Sequence, residues 1–225
     1  MAEEPLADAR DMFAVHTMFR REFGLLPDLV RGVVTGDAER AVAVGDHVAL
    51  VSTMLDIHHS GEDKHIWPLL RERGAGKIAE IVDLMEEQHD RIHAQYLRAG
   101  EALTAWRRDP SAENGDALAG AIEQLIPDLD AHLSLEEDEV VPLIERYVTA
   151  AEYARLAGEG AENTPPELLP VCLGMVMYEA EPAVIETIVA GMPAEVRPAF
   201  PQAANEAYAA YTQRLHGPAP ARTRR

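Results

Sequence analysis

Apolar positions recur with the period of a helix along the first two-thirds of the chain. Met12, His16, Phe19 and Phe23 stand at i, i+4, i+7 and i+11, one face of an α-helix. Asp8 is placed to cap this element, and Gly24 followed by Pro27 to end it. A longer stripe runs Val44, Val48, Val51, Leu55, His58, Glu62, Ile66 and Leu69, with Asp37 as its cap and Gly74 and Gly76 as its stop. A third runs Ile78, Val82, Met85, His89, Ile92, Tyr96 and Leu103, and halts at Asp109-Pro110. The fourth runs Leu118, Ile122, Leu125, Leu129, His132, Glu136, Val140 and Leu143. No period-2 run of useful length competes with these. Four long amphipathic helices with short connections predict an all-α, up-down-up-down four-helix bundle over residues 1–148.

Residues 149–225 differ in character. Pro165, Pro166, Pro170, Pro182, Pro193, Pro198 and Pro201 divide short helical patterns such as LLPVCLGMVMYEA and ANEAYAAYTQRL. They predict a C-terminal helical extension, packed on the bundle or on a second subunit, so that a homodimer would form through these helices. The final GPAPARTRR reads as a frayed tail, with too few arginines for a nucleic-acid arm.

Composition narrows the partners. Twenty basic against 39 acidic residues in 225 give a net charge of −19, which repels phosphate backbones and anionic membrane surfaces. No nucleic-acid or membrane partner is expected. No run of 18 apolar residues exists, and MAEEPLADAR lacks the basic and apolar regions of a signal peptide, so the expected location is the cytoplasm. Cys172 is the single cysteine, which excludes a disulfide scaffold and a Cys-rich zinc site.

The polar residues on the apolar stripes carry the chemistry. HHSGEDKHIWPLL from His58 matches HLSLEEDEVVPLI from His132, aligning Ser60 with Ser134, Glu62 with Glu136 and Pro68 with Pro142. His16 and His89 repeat at nearly the same offset. The bundle thus reads as two helical hairpins, each with a lone His on one helix and His-x-x-x-Glu on the next. Residues i and i+4 project from one helix face, so His58 aligns with Glu62 and His132 with Glu136. A single His on an apolar face is ordinarily a satisfied core histidine. An ionised carboxylate there costs several kcal/mol unless paired or metal-bound. Four inward imidazoles with two inward carboxylates suit iron, manganese or zinc, and specifically a two-metal centre bridged by Glu62 and Glu136. Ferritin-like centres use more carboxylates and the order Glu-x-x-His, which this chain lacks.

The pattern His … His-x-x-x-Glu … His … His-x-x-x-Glu, each motif followed by a proline, resembles the HHE cation-binding branch of the hemerythrin family over roughly residues 8–148. That resemblance implies a four-helix bundle around two non-haem iron ions with a bridging oxo or hydroxo group. His16, His58, Glu62, His89, His132 and Glu136 would be the ligands. The halves differ at one point: His89+4 is His93, whereas His16+4 is Arg20. His93 resembles the His-x-x-x-His of oxygen-carrying hemerythrins and is expected to face inward as a seventh ligand. The other metal, with fewer imidazoles, would keep an open position.

His59 points about 100° from His58 around the helix and is expected to lie off the site. His65 and Glu139 read as solvated helix-end residues, and His47 and His216 as peripheral. Tyr96 reads as core packing, with a hydrogen bond to a bound oxygen species as the alternative. Pro68 and Pro142 are expected to kink the helix ends over the pocket. The resemblance allows O2, peroxide or NO as the ligand, in storage, sensing or detoxification. A catalase-like peroxide breakdown, a metal-stabilised interaction module and an oxygenase acting on an organic substrate are the alternatives.

Overall fold

The computed structural model describes residues 4–74 and 76–216; the tail from Gly217 lies outside the described residues. The elements among these residues are all helices, with no strand. Helix α1 is Asp11–Arg31, α2 Ala38–His65, α3 Trp67–Arg73, α4 Lys77–Arg108 and α5 Ala112–Leu135. A π-helical turn, Glu136–Val140, leads into α6, Val141–Tyr147. The extension comprises α7 (Ala150–Glu162), α8 (Leu169–Met177), α9 (Pro182–Gly191) and α10 (Phe200–His216). No described helix is long and apolar enough to cross a membrane.

Local chemistry explains most boundaries. The Asp37 carboxylate accepts from the Arg40 amide at 3.0 Å and caps α2. Ser111 caps α5, and Thr149 with Glu152 forms a reciprocal capping box on α7. Helix α4 begins after Gly76, at φ +61°, where a side chain would be strained. It stops at Arg108, because Asp109 must extend before Pro110. Helix α1 departs from the sequence expectation at both ends. Asp8 pairs with the Arg10 side chain instead of capping, and the helix runs through Gly24 and Pro27 to Arg31. The missing Pro27 N–H costs one backbone bond, and burial of Leu26, Leu29 and Val30 outweighs it.

Helices α1 and α4 each pack against both α2 and α5, so the four long helices enclose a common interior. Two apolar layers fill it. Met12, Ile66, Met85 and Val140 each lie four residues from a motif His or Glu and belong to one layer. Phe19, Leu55, Ile92 and Leu129 each lie three residues from a motif His and belong to the other. The polar residues of the motifs therefore sit between two apolar floors.

The extension covers the bundle. Helices α8 and α10 pair with each other, α8 meets α1, and α10 meets α2. Val171, Met175 and Tyr208 join the bundle's main core. At this junction Glu22, 2% exposed, accepts from Tyr208 Oη at 2.8 Å and from the Arg21 guanidinium at 2.8–2.9 Å. His47, expected to be peripheral, is fully buried here. Its Nε2 lies 3.2 Å from Glu22 and its Nδ1 3.0 Å from Tyr211 Oη. Burial pushes the Glu22 carboxyl up, but His47, Arg21 and Tyr208 outweigh it and hold it at about 2. His216, by contrast, is exposed at the end of α10.

Candidate metal centre

The repeated motifs converge. His16, His58, Glu62 and Glu136 offer ligand atoms all within 4.8 Å of one another, and His59, Glu62, His89 and His132 form a second such group. Glu62 belongs to both. His16, Glu62, His132 and Glu136 are fully buried, and the His58 side chain is 8% exposed. Within the groups, His58 Nε2 lies 3.1 Å and His89 Nε2 3.5 Å from the two oxygens of Glu62. His16 Nε2 and His132 Nε2 lie 3.4 and 3.6 Å from Glu136 Oε2.

Groups behind the histidines fix which nitrogen is free. His16 Nδ1 donates to Glu137 at 3.0 Å, and His89 Nδ1 donates to Asp63 at 2.7 Å. His132 Nδ1 donates to the Gln88 side-chain oxygen at 3.0 Å. Carboxylate and amide oxygens only accept, so Nδ1 of each of these imidazoles carries a proton and Nε2 is the atom turned to the centre. His89 Nε2 and His132 Nε2 are then 3.2 Å apart, and His16 Nε2 lies 3.3 Å from His58 Nε2. Two such nitrogens repel at that distance unless a proton or a metal cation stands between them.

Burial lowers His16, but its contacts with Glu136 and Glu137 outweigh this and raise it. Burial, followed by the charge of Glu136, pushes the Glu62 carboxyl well above the usual carboxylate range. Burial pushes Glu136 the same way, but its contact with His16 outweighs this and holds it low. Burial lowers His132 to about 4 and His58 to about 3, and takes His59 well below its ordinary value, so all three are neutral near pH 7. Seven buried side-chain polar atoms among the described residues lack a hydrogen-bond partner. Five of them are His59 Nε2 and the four oxygens of Glu62 and Glu136. Orphaned oxygens beside the neutral imidazoles of His58, His59 and His132 are what a divalent cation satisfies.

Backbone breaks follow both motifs. Helix α2 ends at His65 and Pro68 opens α3; α5 gives way to the π-turn, and Pro142 opens α6. Each proline lacks the N–H that would continue the ladder. The π-turn starts at Glu136 itself and lets two successive acids work inward, Glu136 at the centre and Glu137 on His16. On the other motif the α7 helix seals the flank. A Cβ on Gly61 would stand 2.5 Å from Leu156 Cδ1, so α7 packs directly on α2 beside Glu62 and the Leu156 side chain would have to turn to admit a larger residue. Tyr153 Oη of α7 also donates to Asp11 at 2.7 Å.

Two expectations are corrected. The His93 side chain is 54% exposed, paired with Asp56 at 3.4 Å, and belongs to neither group. His59 is buried and stands in the second group, its ring stacked on His89 at 4.1 Å. Helical period explains both. From Leu55 the inward direction returns after 3.6 residues, between His58 and His59, so the two flank it and both reach the centre. From His89 the same step falls between Ile92 and His93, and buried Ile92 occupies the inward side. Asp63, Gln88 and Glu137 were missed altogether. An acid directly after the motif Glu in both halves was the legible signal for two of them.

The remaining expectations fall out simply. Glu139 is exposed, and His65 is half-buried against Glu159 of α7. Tyr96 is half-buried and stacks on His93. We expect His59→Ala to lower bound metal by about one equivalent, and His93→Ala to leave it unchanged, when both are measured by elemental analysis after reconstitution. Equal loss from both would restore His93 to the ligand set.

The model of the hemerythrin HHE cation binding domain matches residues 8–144. No curated protein and no solved structure matches the chain.

Proposed function

The chain belongs to the hemerythrin HHE cation-binding family, and on that premise we propose that it is a cytoplasmic non-haem di-iron protein that binds or reacts with O2, peroxide or NO. The up-down-up-down course of its four long helices is part of this reading. The observation that carries it is the pair of ligand groups sharing Glu62. Glu62 would join the two ions, with His16, His58 and Glu136 serving one and His59, His89 and His132 the other. Two divalent ions would bring +4 against −2 from Glu62 and Glu136; an oxo group would balance the remaining +2, and a hydroxo group would offset half of it. Bound iron would supply the electrons for reversible O2 capture or for peroxide reduction.

The chain's own residues set the conditions. Asp63, Gln88 and Glu137 hold the Nδ1 protons and so orient His89, His132 and His16. The apolar floors around Leu55, Ile92, Met12 and Met85 bound the centre above and below. A cavity of about 260 Å³ reaches His59 and His89 from the surface. Its volume admits a small oxidant and lies close to the lower end of the about 300–1,000 Å³ found for pockets of organic ligands.

Protein from an iron-replete culture should carry two iron ions per chain and a visible absorption band. After reduction, a band that forms in air and reverses under argon supports O2 carriage. Gas evolution from added peroxide supports a catalase-like enzyme. Protein that takes up iron and shows neither response to any of the three ligands would leave the interaction-module reading in its place.

A further inference from the structure

The cavity that reaches His59 and His89 has an unusual rim. Asp56, Asp63 and Asp90 line it together with His93, and no Lys or Arg is among its lining residues. The Asp56 and Asp63 side chains are 42% and 47% exposed, so their charges face the solvent at the mouth. His93 lies 3.4 Å from Asp56, which sets an imidazole nitrogen beside a carboxylate oxygen, a donor pair suited to a first-row divalent ion. At the inner end, His59 is 7% exposed and its Nε2 has no partner. The sequence had offered His93 as a ligand, and the metal-centre geometry does not use it. Its place at the mouth of a cavity that reaches the centre gives it and its carboxylate neighbours another role.

We propose that this acidic vestibule is the loading route of the metal centre: Asp56, Asp90 and His93 capture a hydrated divalent cation from solvent and pass it to His59 and His89. The inference rests on the metal-centre reading given above. A narrow cleft lined by one sign of charge concentrates counter-ions, and the gain appears in the association rate and falls with salt. Asp63 is held by His89 and Trp67, so its part is to orient the receiving imidazole. Asp56 and Asp90 carry the capture. The final site is unaffected by their loss, because neither belongs to a ligand group.

The test is the rate at which metal-free full-length protein takes up Co(II), followed by its visible absorption after rapid mixing, with stoichiometry measured at equilibrium. In low salt, Asp56→Asn/Asp90→Asn should load about five- to tenfold more slowly than wild type, and the difference should shrink in about 1 M salt. Asp90→Asn alone should show part of the slowing. Final stoichiometry should be unchanged in all variants. Glu186→Gln/Glu195→Gln, which removes the same charge from exposed positions in the extension, should load at the wild-type rate. Equal rates in wild type and the vestibule variants, or equal slowing in the extension variant, would overturn the proposal while leaving the metal centre intact. Wild-type protein that takes up no Co(II) at equilibrium would overturn the metal-centre reading itself and this proposal with it.

Discussion

Glu62→Ala is expected to reduce bound metal from two ions per chain to one or none, while Glu62→Gln is expected to make the metal-free protein more stable than wild type. The opposite signs come from one side chain. Glu62 belongs to both ligand groups, so its removal deprives both positions of a carboxylate at once. Without a cation, the same carboxylate is fully buried, both its oxygens lack donors, and Glu136 lies beside it. An isosteric neutral amide removes the charge without opening a void, and relieving such a group is worth about 1–3 kcal/mol. At this chain length that raises the melting temperature by about 2–12 °C. The pH dependence has a definite sign. The folded-state carboxyl is raised above its ordinary 4.5, so the metal-free native state holds more protons than the unfolded chain. The contribution of Glu62 therefore falls as pH climbs above 4.5, against the rising contributions of His58, His59 and His132 up to about their ordinary 6.5, so it is read in the difference between Glu62→Gln and wild type, which widens as pH rises. Melting curves of metal-free protein across this range, with elemental analysis of the reconstituted variants, check both parts. Full metal content in Glu62→Ala would remove Glu62 from its shared position.

What the sequence disclosed and what it hid divide along physical lines. His16, His58, Glu62, His89, His132 and Glu136 were legible because a carboxylate on an apolar stripe is costly, and the chain places two of them at matching positions. The structure brings all six within reach of two shared points. His59 and His93 were misread because whole-residue offsets approximate a period of 3.6, and a face that falls between two residues cannot be assigned by counting. His47 was misread for a different reason. Its surroundings, Glu22 and Tyr211, come from α1 and α10, and no local pattern announces a partner 164 residues away. The run of α1 through Pro27 belongs to the same class, because burial by neighbouring helices overrides a local stop signal.

Chelation should destabilise the bundle strongly and the outer part of the extension weakly. A cation that binds only the native state at a thousandfold excess over its Kd contributes about 4 kcal/mol. Stripping it should therefore lower the melting temperature by about 8–16 °C at this chain length. The loss will not be uniform. Residues of α1, α2, α4, α5 and the π-turn hold the ligands, and α7 is tied to that layer through Leu156 on Gly61 and Tyr153 on Asp11. Helices α8 and α10 attach elsewhere, through Glu22, Arg21, His47 and both tyrosines of α10, and through Val171 and Met175 in the main core. None of these residues belongs to a ligand group. Hydrogen exchange before and after chelation should thus show faster exchange around His58–Asp63, Glu136–Val140 and α7, with α8 and α10 nearly unchanged. The interaction-module reading requires the reverse, since a metal-controlled partner surface on the extension must loosen when the metal leaves. Loss of protection in α8 and α10 as large as in the motif helices would favour that reading over an oxidant-binding centre. Unchanged protection in the motif helices would show that their fold does not depend on a bound cation.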